Sequence, residues 1–214
     1  MDQLNGLNVP QSLKDVCRPE QLGLLVYDMQ VGILKQIADR ERVIQNVQKV
    51  LEAARGVGVR TYFTRHVTLP VDLMGVAQLR MWRGWQRVAR LEDVRSPFLP
   101  NAPQTQIVPE LRPNEKEAVL DKLTLSAFAG TPLELALRGA NVEAIAIVGV
   151  ATEIGVEPTV RHAGDLGFIP VVVADACGPG NPEAGARSME SLRFLGDALV
   201  TDVAGFRDAL AGRN

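Results

Sequence analysis

Short apolar runs rich in β-branched residues alternate along this chain with longer stretches in which apolar residues recur every three or four positions. The first run is LGLLVYD, from Leu22 to Asp28. VRTYFTRH, EAVLDK, AIAIVGV, FIPVVVADA and DALVTDV follow in that order and read as further strands. Between about residues 40 and 55, Val43, Val47, Val50, Leu51 and Ala54 fall on one helical face, and Gly56 and Gly58 then end the helix. Similar patterns predict helices at about 132–138, 156–166 and 182–195.

Strands that are apolar throughout are covered on both faces, as in parallel sheets flanked by helices. The repeated strand–helix order therefore predicts a three-layer α/β sandwich, Rossmann-like, around a mostly parallel sheet of roughly six strands. One segment breaks the rhythm. From about Thr68 to Pro113 the chain is rich in proline, carries both tryptophans and shows no clear strand. A long irregular excursion of this kind is commonly a lid or a subunit contact. No repeat, low-complexity tract or linker interrupts the pattern, so residues 1–214 are read as a single domain.

Composition narrows the function. With 214 residues, 46% hydrophobic and 22% charged, the chain has an ordinary globular balance. A formal net charge of −2 and the lack of a basic block argue against a nucleic-acid or membrane-surface partner. The two cysteines, Cys17 and Cys177, are too few for a disulfide framework. No apolar run is long enough to span a bilayer, and the N-terminal residues lack a secretory pattern, so the expected compartment is the cytoplasm.

In open parallel sheets, ligands bind beyond the carboxyl ends of the strands. Asp28 ends the first strand and Lys122 the third, while the fourth runs into GVATEIG, where a helix begins at about Gly155. A carboxylate, an amine and a helix N-terminus with N–H groups able to hold an anion are thus expected at one edge. Each feature alone is ordinary: an Asp after a strand commonly caps a turn, and a lone Lys is usually solvated. Their order along the chain carries the argument.

Three segments in the right order resemble the isochorismatase-like hydrolases, the superfamily that includes nicotinamidases and other cysteine amidohydrolases. These are LLVYDMQ, DKLTLSAFAGTPLELALR and IVGVATEIGVEPTVRHAGDLGFIPVVVADACG, together spanning about Leu22 to Gly178. The resemblance implies catalytic roles for Asp28 and Lys122, a cis peptide near Val150–Ala151, and homo-oligomers such as dimers or tetramers. It also implies a nucleophilic cysteine at position 155, where this chain has glycine. Ile154-Gly155 resembles the subgroup of true isochorismatases, which cleave an enol ether by general acid catalysis. Ala151-Thr152-Glu153 resembles the cysteine-hydrolase side of the family instead. Cys177 reads as a buried, inert thiol, and Cys17 as packing.

The expected activity is metal-free, cofactor-free hydrolysis of a small polar or carboxylate-bearing molecule by Asp28, without a covalent cysteine intermediate. The scissile bond is an enol ether or a C–N bond, since the same carboxylate serves as acid for one and base for the other. The alternative is a non-catalytic binding or scaffold homologue that has lost its nucleophile. Expected pocket residues are Gln30, Trp82, Trp85, Phe128, Ala151 and Ile154, with Arg83 or Arg87 available to a carboxylate. Trp82 and Trp85 equally fit a subunit contact. His66 and His162 stand apart in sequence and predict no metal cluster; His66 reads chiefly as a strand-end structural residue, with a place in the site lining as the second reading.

Overall fold

The structure is a computed structural model that describes residues 1–196 and 198–211. Its main elements, in chain order, are β1 (Leu22–Tyr27), α1 (Arg40–Gly56), β2 (Arg60–His66), α2 (Val76–Gln86), β3 (Ala118–Lys122), α3 (Leu133–Gly139), β4 (Ala144–Val150), α4 (Glu157–Asp165), β5 (Ile169–Gly178), α5 (Pro182–Leu195), β6 (Leu199–Thr201) and α6 (Val203–Ala211). The six strands are all parallel and lie in the order β3-β2-β1-β4-β5-β6. This is the doubly wound order, in which β1 and β4 part at the topological switch point and leave a crevice beyond their carboxyl ends.

Every residue of β1 and β4 is buried. Alternation along the strands divides their side chains between two cores. Leu24, Val26, Ala146, Val148, Val171 and Val173 meet Val47 and Val50 of α1 and Phe206 of α6 on one face. Leu25, Tyr27, Ile145, Ile147 and Val172 meet Leu137 of α3, Val160 of α4 and Leu192 of α5 on the other. Helices thus cover both faces of the sheet, giving the three-layer α/β sandwich that the apolar runs predict.

The differences are local. DALVTDV begins at Asp197, outside the described residues; its strand covers only Leu199–Thr201, and Val203 already opens α6. The N–H of Val203 donates to Asp175 Oδ1 at 2.9 Å, so a side chain from β5 starts this helix. FIPVVVADA continues as strand to Gly178, with a register shift opposite Ile147 and Gly149. A small hairpin, Asp2–Leu4 with Leu7–Val9, precedes the sandwich.

The excursion at 68–113 has more order than its prolines predict. It contains α2, with Val76, Leu79 and Trp82 three residues apart, and builds a small core from Met74, Trp82, Val94 and Phe98. Its far end returns to the sheet: Val31 N–H donates to Gln106 O at 2.9 Å and Val108 N–H to Met29 O at 3.0 Å. The excursion therefore folds over the carboxyl end of β1.

Candidate active site

Asp28 leaves β1 with φ +47, a left-handed conformation that few side chains other than Asn and Asp tolerate. This turn holds the carboxyl at the switch point, 4% exposed. Thr64 of β2 pins it twice: its hydroxyl donates to Asp28 Oδ1 at 2.7 Å and accepts from the Asp28 N–H at 3.2 Å. Lys122 Nζ donates to Oδ2 at 2.6 Å. Both carboxyl oxygens therefore act as acceptors, the arrangement that suits an ionised carboxylate.

Lys122 is as fully engaged as Asp28. Besides Oδ2, its ammonium donates to Tyr27 Oη at 2.8 Å and to Thr124 O at 3.1 Å, which accounts for its three protons. Burial holds its pKa below the usual 10.5 despite the neighbouring carboxylate. Lys122 does not line the adjoining cavity and has no proton left for a ligand, so its geometry is that of a group holding Asp28 in place.

That cavity has a volume of about 880 Å³, with Tyr27, Asp28 and Gly155 among its lining residues. Ala151 and Ile154 line it as the sequence predicts, beside the cis peptide Val150–Ala151. Trp82 and Trp85 line it too, so the excursion supplies one wall. Their rings lie edge to face with centroids 5.2 Å apart, and His66 and Phe98 pack against Trp82 at 5.9 and 6.0 Å. Arg87 reaches the cavity, whereas Arg83 lies along a neighbouring groove instead.

Two expected pocket residues stand elsewhere. Gln30 is fully buried and serves as a clamp. Its Nε2 donates to His66 O at 3.0 Å and Thr105 O at 2.9 Å, and its Oε1 accepts from the His66 N–H at 2.6 Å. Phe128 stacks on Phe168 with centroids 5.8 Å apart, inside the core under α3 and α4. Proximity in sequence to Asp28 and Lys122 misleads in both cases, because Gln30 is drawn to the backbone of β2 and the excursion and Phe128 to the core.

The helix N-terminus also differs from expectation. A wide turn at Thr152–Val156 precedes α4, and the N–H groups of Ile154, Gly155 and Val156 converge on Ala151 O at 3.3, 3.0 and 3.2 Å. These three donors face a carbonyl and not the cavity. Glu153 accepts from the N–H groups of Gly180 and Asn181 at 3.1 and 2.7 Å, so its charge is spent on the turn before α5.

His66 lines the cavity, the second of the two roles its strand-end position allows. Burial, with the Lys122 charge second, lowers its pKa to about 4, so it is a neutral ring at neutral pH. Tyr27 lies inside LLVYDMQ but, like Thr64, is given no role by a reading based on strand ends; the signal for both is their position beside Asp28. Cys177 is buried and its thiol is pushed up to about 12 by desolvation, which makes it a poor nucleophile. Cys17 lies in the core beneath α1 and α6. Among the described residues, no three His, Cys, Asp or Glu side chains are grouped to hold a metal ion, and no helix is long and apolar enough to cross a membrane.

The chain is similar to known proteins in sequence and in fold. Residues 23–204 match the family model described as the isochorismatase domain. The chain is 28% identical to ureidoacrylate amidohydrolase RutB of Cronobacter sakazakii, over 90% of each chain. It is 29% identical to N-carbamoylsarcosine amidase of an Arthrobacter species, over 79% of this chain and 63% of that one. In fold it is similar to a cysteine hydrolase from Pseudomonas syringae, with a TM-score of 0.77 at 23% identity, over 91% of this chain and 94% of the other.

Proposed function

The chain belongs to the isochorismatase family of hydrolases, and from that premise we propose that it cleaves a C–N bond in a small carboxylate-bearing molecule, with Asp28 as general base. The observation that carries this reading is the Asp28 carboxylate itself. It is held on both oxygens by Thr64 and Lys122 and it lines a cavity large enough for a small metabolite. An enol ether would need a proton from this carboxyl, whereas two donors aimed at it favour the ionised base. The names of two relatives, an amidohydrolase and an amidase, support the same bond class.

In this mechanism Asp28 takes a proton from a water molecule as its oxygen bonds to the scissile carbonyl carbon. Collapse of the resulting tetrahedral species breaks the C–N bond, and Asp28 returns the proton to the leaving nitrogen. Lys122 keeps the carboxylate oriented throughout and does not touch the substrate. The aromatic wall of Trp82, Trp85, His66 and Phe98 packs on the apolar part of the substrate, and Arg87 at the cavity meets its carboxylate. No metal ion or covalent cysteine adduct is required.

The test is turnover of small amides, carbamoyl compounds and enol ethers by wild type and Asp28→Asn, with and without a thiol-blocking reagent. The expected result is C–N hydrolysis indifferent to the reagent and reduced by about 10²–10⁴-fold in the variant. Turnover confined to enol ethers would assign Asp28 the opposite role. Binding of panel members without turnover by the wild type would favour a non-catalytic homologue.

A further inference from the structure

Gly155 has no side chain, yet the space beside it is filled. A Cβ built there would lie against Oη, Cζ and Cε1 of Tyr27, all well inside the 3.0 Å that real Cβ atoms keep. Tyr27 cannot easily retreat. Its backbone pairs with Gly149, where φ is +123 and where an added Cβ would strike the Tyr27 carbonyl. Its phenol donates to Leu125 O and accepts from Lys122 Nζ at 2.8 Å, with the ammonium 4.3 Å from the ring centroid. The ring is buried, and burial followed by the Asp28 charge raises its pKa well above 10, so it remains a neutral phenol.

We propose that Tyr27 is a positioning residue of this site, matched to Gly155: its phenol stands where a side chain at 155 would stand, and it fixes Lys122 against Asp28. The pair excludes a nucleophile at position 155 by volume and supplies in its place a fixed hydrogen-bond acceptor for the lysine. This rests on the reading of Asp28 as a catalyst that forms no covalent link to the protein. It adds that the strand residue before Asp28 and the glycine in the turn before α4 act as a unit.

Two measurements that need no substrate test it. The first compares thermal melting of wild type, Gly155→Ala, Tyr27→Leu and the double variant. Gly155→Ala should lower the melting temperature by about 5 °C where Tyr27 is retained and by much less in the Tyr27→Leu background, because the smaller side chain clears the overlap. Equal losses in both backgrounds would overturn the matched pair. The second uses Tyr27→Phe, which keeps the ring and so the fold, and follows Lys122 by NMR of its ε-carbon. Losing the phenol oxygen should lower the lysine's titration midpoint by about 1 pH unit, since a charge-assisted acceptor is gone. An unchanged midpoint would overturn the positioning role. If the Tyr27→Leu proteins do not fold, alkylation decides: Gly155→Cys with Tyr27 retained should resist iodoacetamide or fail to fold. A folded Gly155→Cys protein that alkylates as fast as a free thiol would refute the overlap. Since none of these readouts measures turnover, they and the Asp28→Asn assay can fail independently.

Discussion

His66 shows how burial turns an ordinary side chain into a measurable property. In the folded chain its pKa is about 4, against an ordinary 6.5. Between those values the unfolded chain binds a proton that the folded chain refuses, so stability falls as pH drops from 6.5 towards 4. At about 1.4 kcal/mol per pH unit, the loss across that window is about 3 kcal/mol. Urea unfolding of wild type and His66→Gln over this range should show the slope in the first and a flatter line in the second. Parallel lines would mean that another group titrates there. Asp28 and Lys122 illustrate a second point: a buried lysine can commit all three of its protons within the protein, one of them to the carboxylate beside it.

Backbone ladders join the strands, and a few buried side chains at their ends tie them to neighbouring segments. Gln30 joins the end of β1 to the backbone of His66 in β2 and of Thr105 in the excursion. Replacing it by Leu leaves a buried N–H and two carbonyls without these partners. Gln30→Leu should cost about 3 kcal/mol, because unsatisfied buried groups lose their solvation without compensation. Chemical denaturation would measure it, and a loss under about 1 kcal/mol would show that backbone hydrogen bonds and apolar packing dock the excursion without help from Gln30. Asp175 serves β5 in a similar way, with its carboxylate opening α6 and its carbonyl accepting from Asn46 of α1 at 2.8 Å.

The sandwich brings Asp28 to the cavity and the excursion supplies an aromatic wall. Both tryptophans of the chain lie in that wall, so intrinsic fluorescence reports on the cavity. A compound that is turned over should quench this fluorescence as it binds. Trp85 is 45% exposed while Trp82 is 5% exposed, so Trp85 is the more available to a ligand and the less needed by the core. Trp85→Ala should weaken binding about tenfold while leaving the melting temperature nearly unchanged. An unaltered dissociation constant would place the ligand away from the wall, nearer Glu153 and Asn181.

The strands, their parallel arrangement and the placing of Asp28 and Lys122 were legible in the amino-acid order, since apolar periodicity and strand ends are local features. β1 and β4 read as continuous apolar runs because both faces of each are covered. α2 was harder to read, because it carries Gly84 near its end and lies in a proline-rich segment. The site needed three dimensions. Whether Gln30 faces the cavity or clamps two strands depends on the backbone turn at Asp28, and no spacing rule encodes φ +47. That Tyr27 fills the space beside Gly155 depends on close packing between β1 and the turn after β4, two segments far apart in the chain. Local pattern specifies which face a residue takes; which atom occupies a given volume is set by all the segments that converge there.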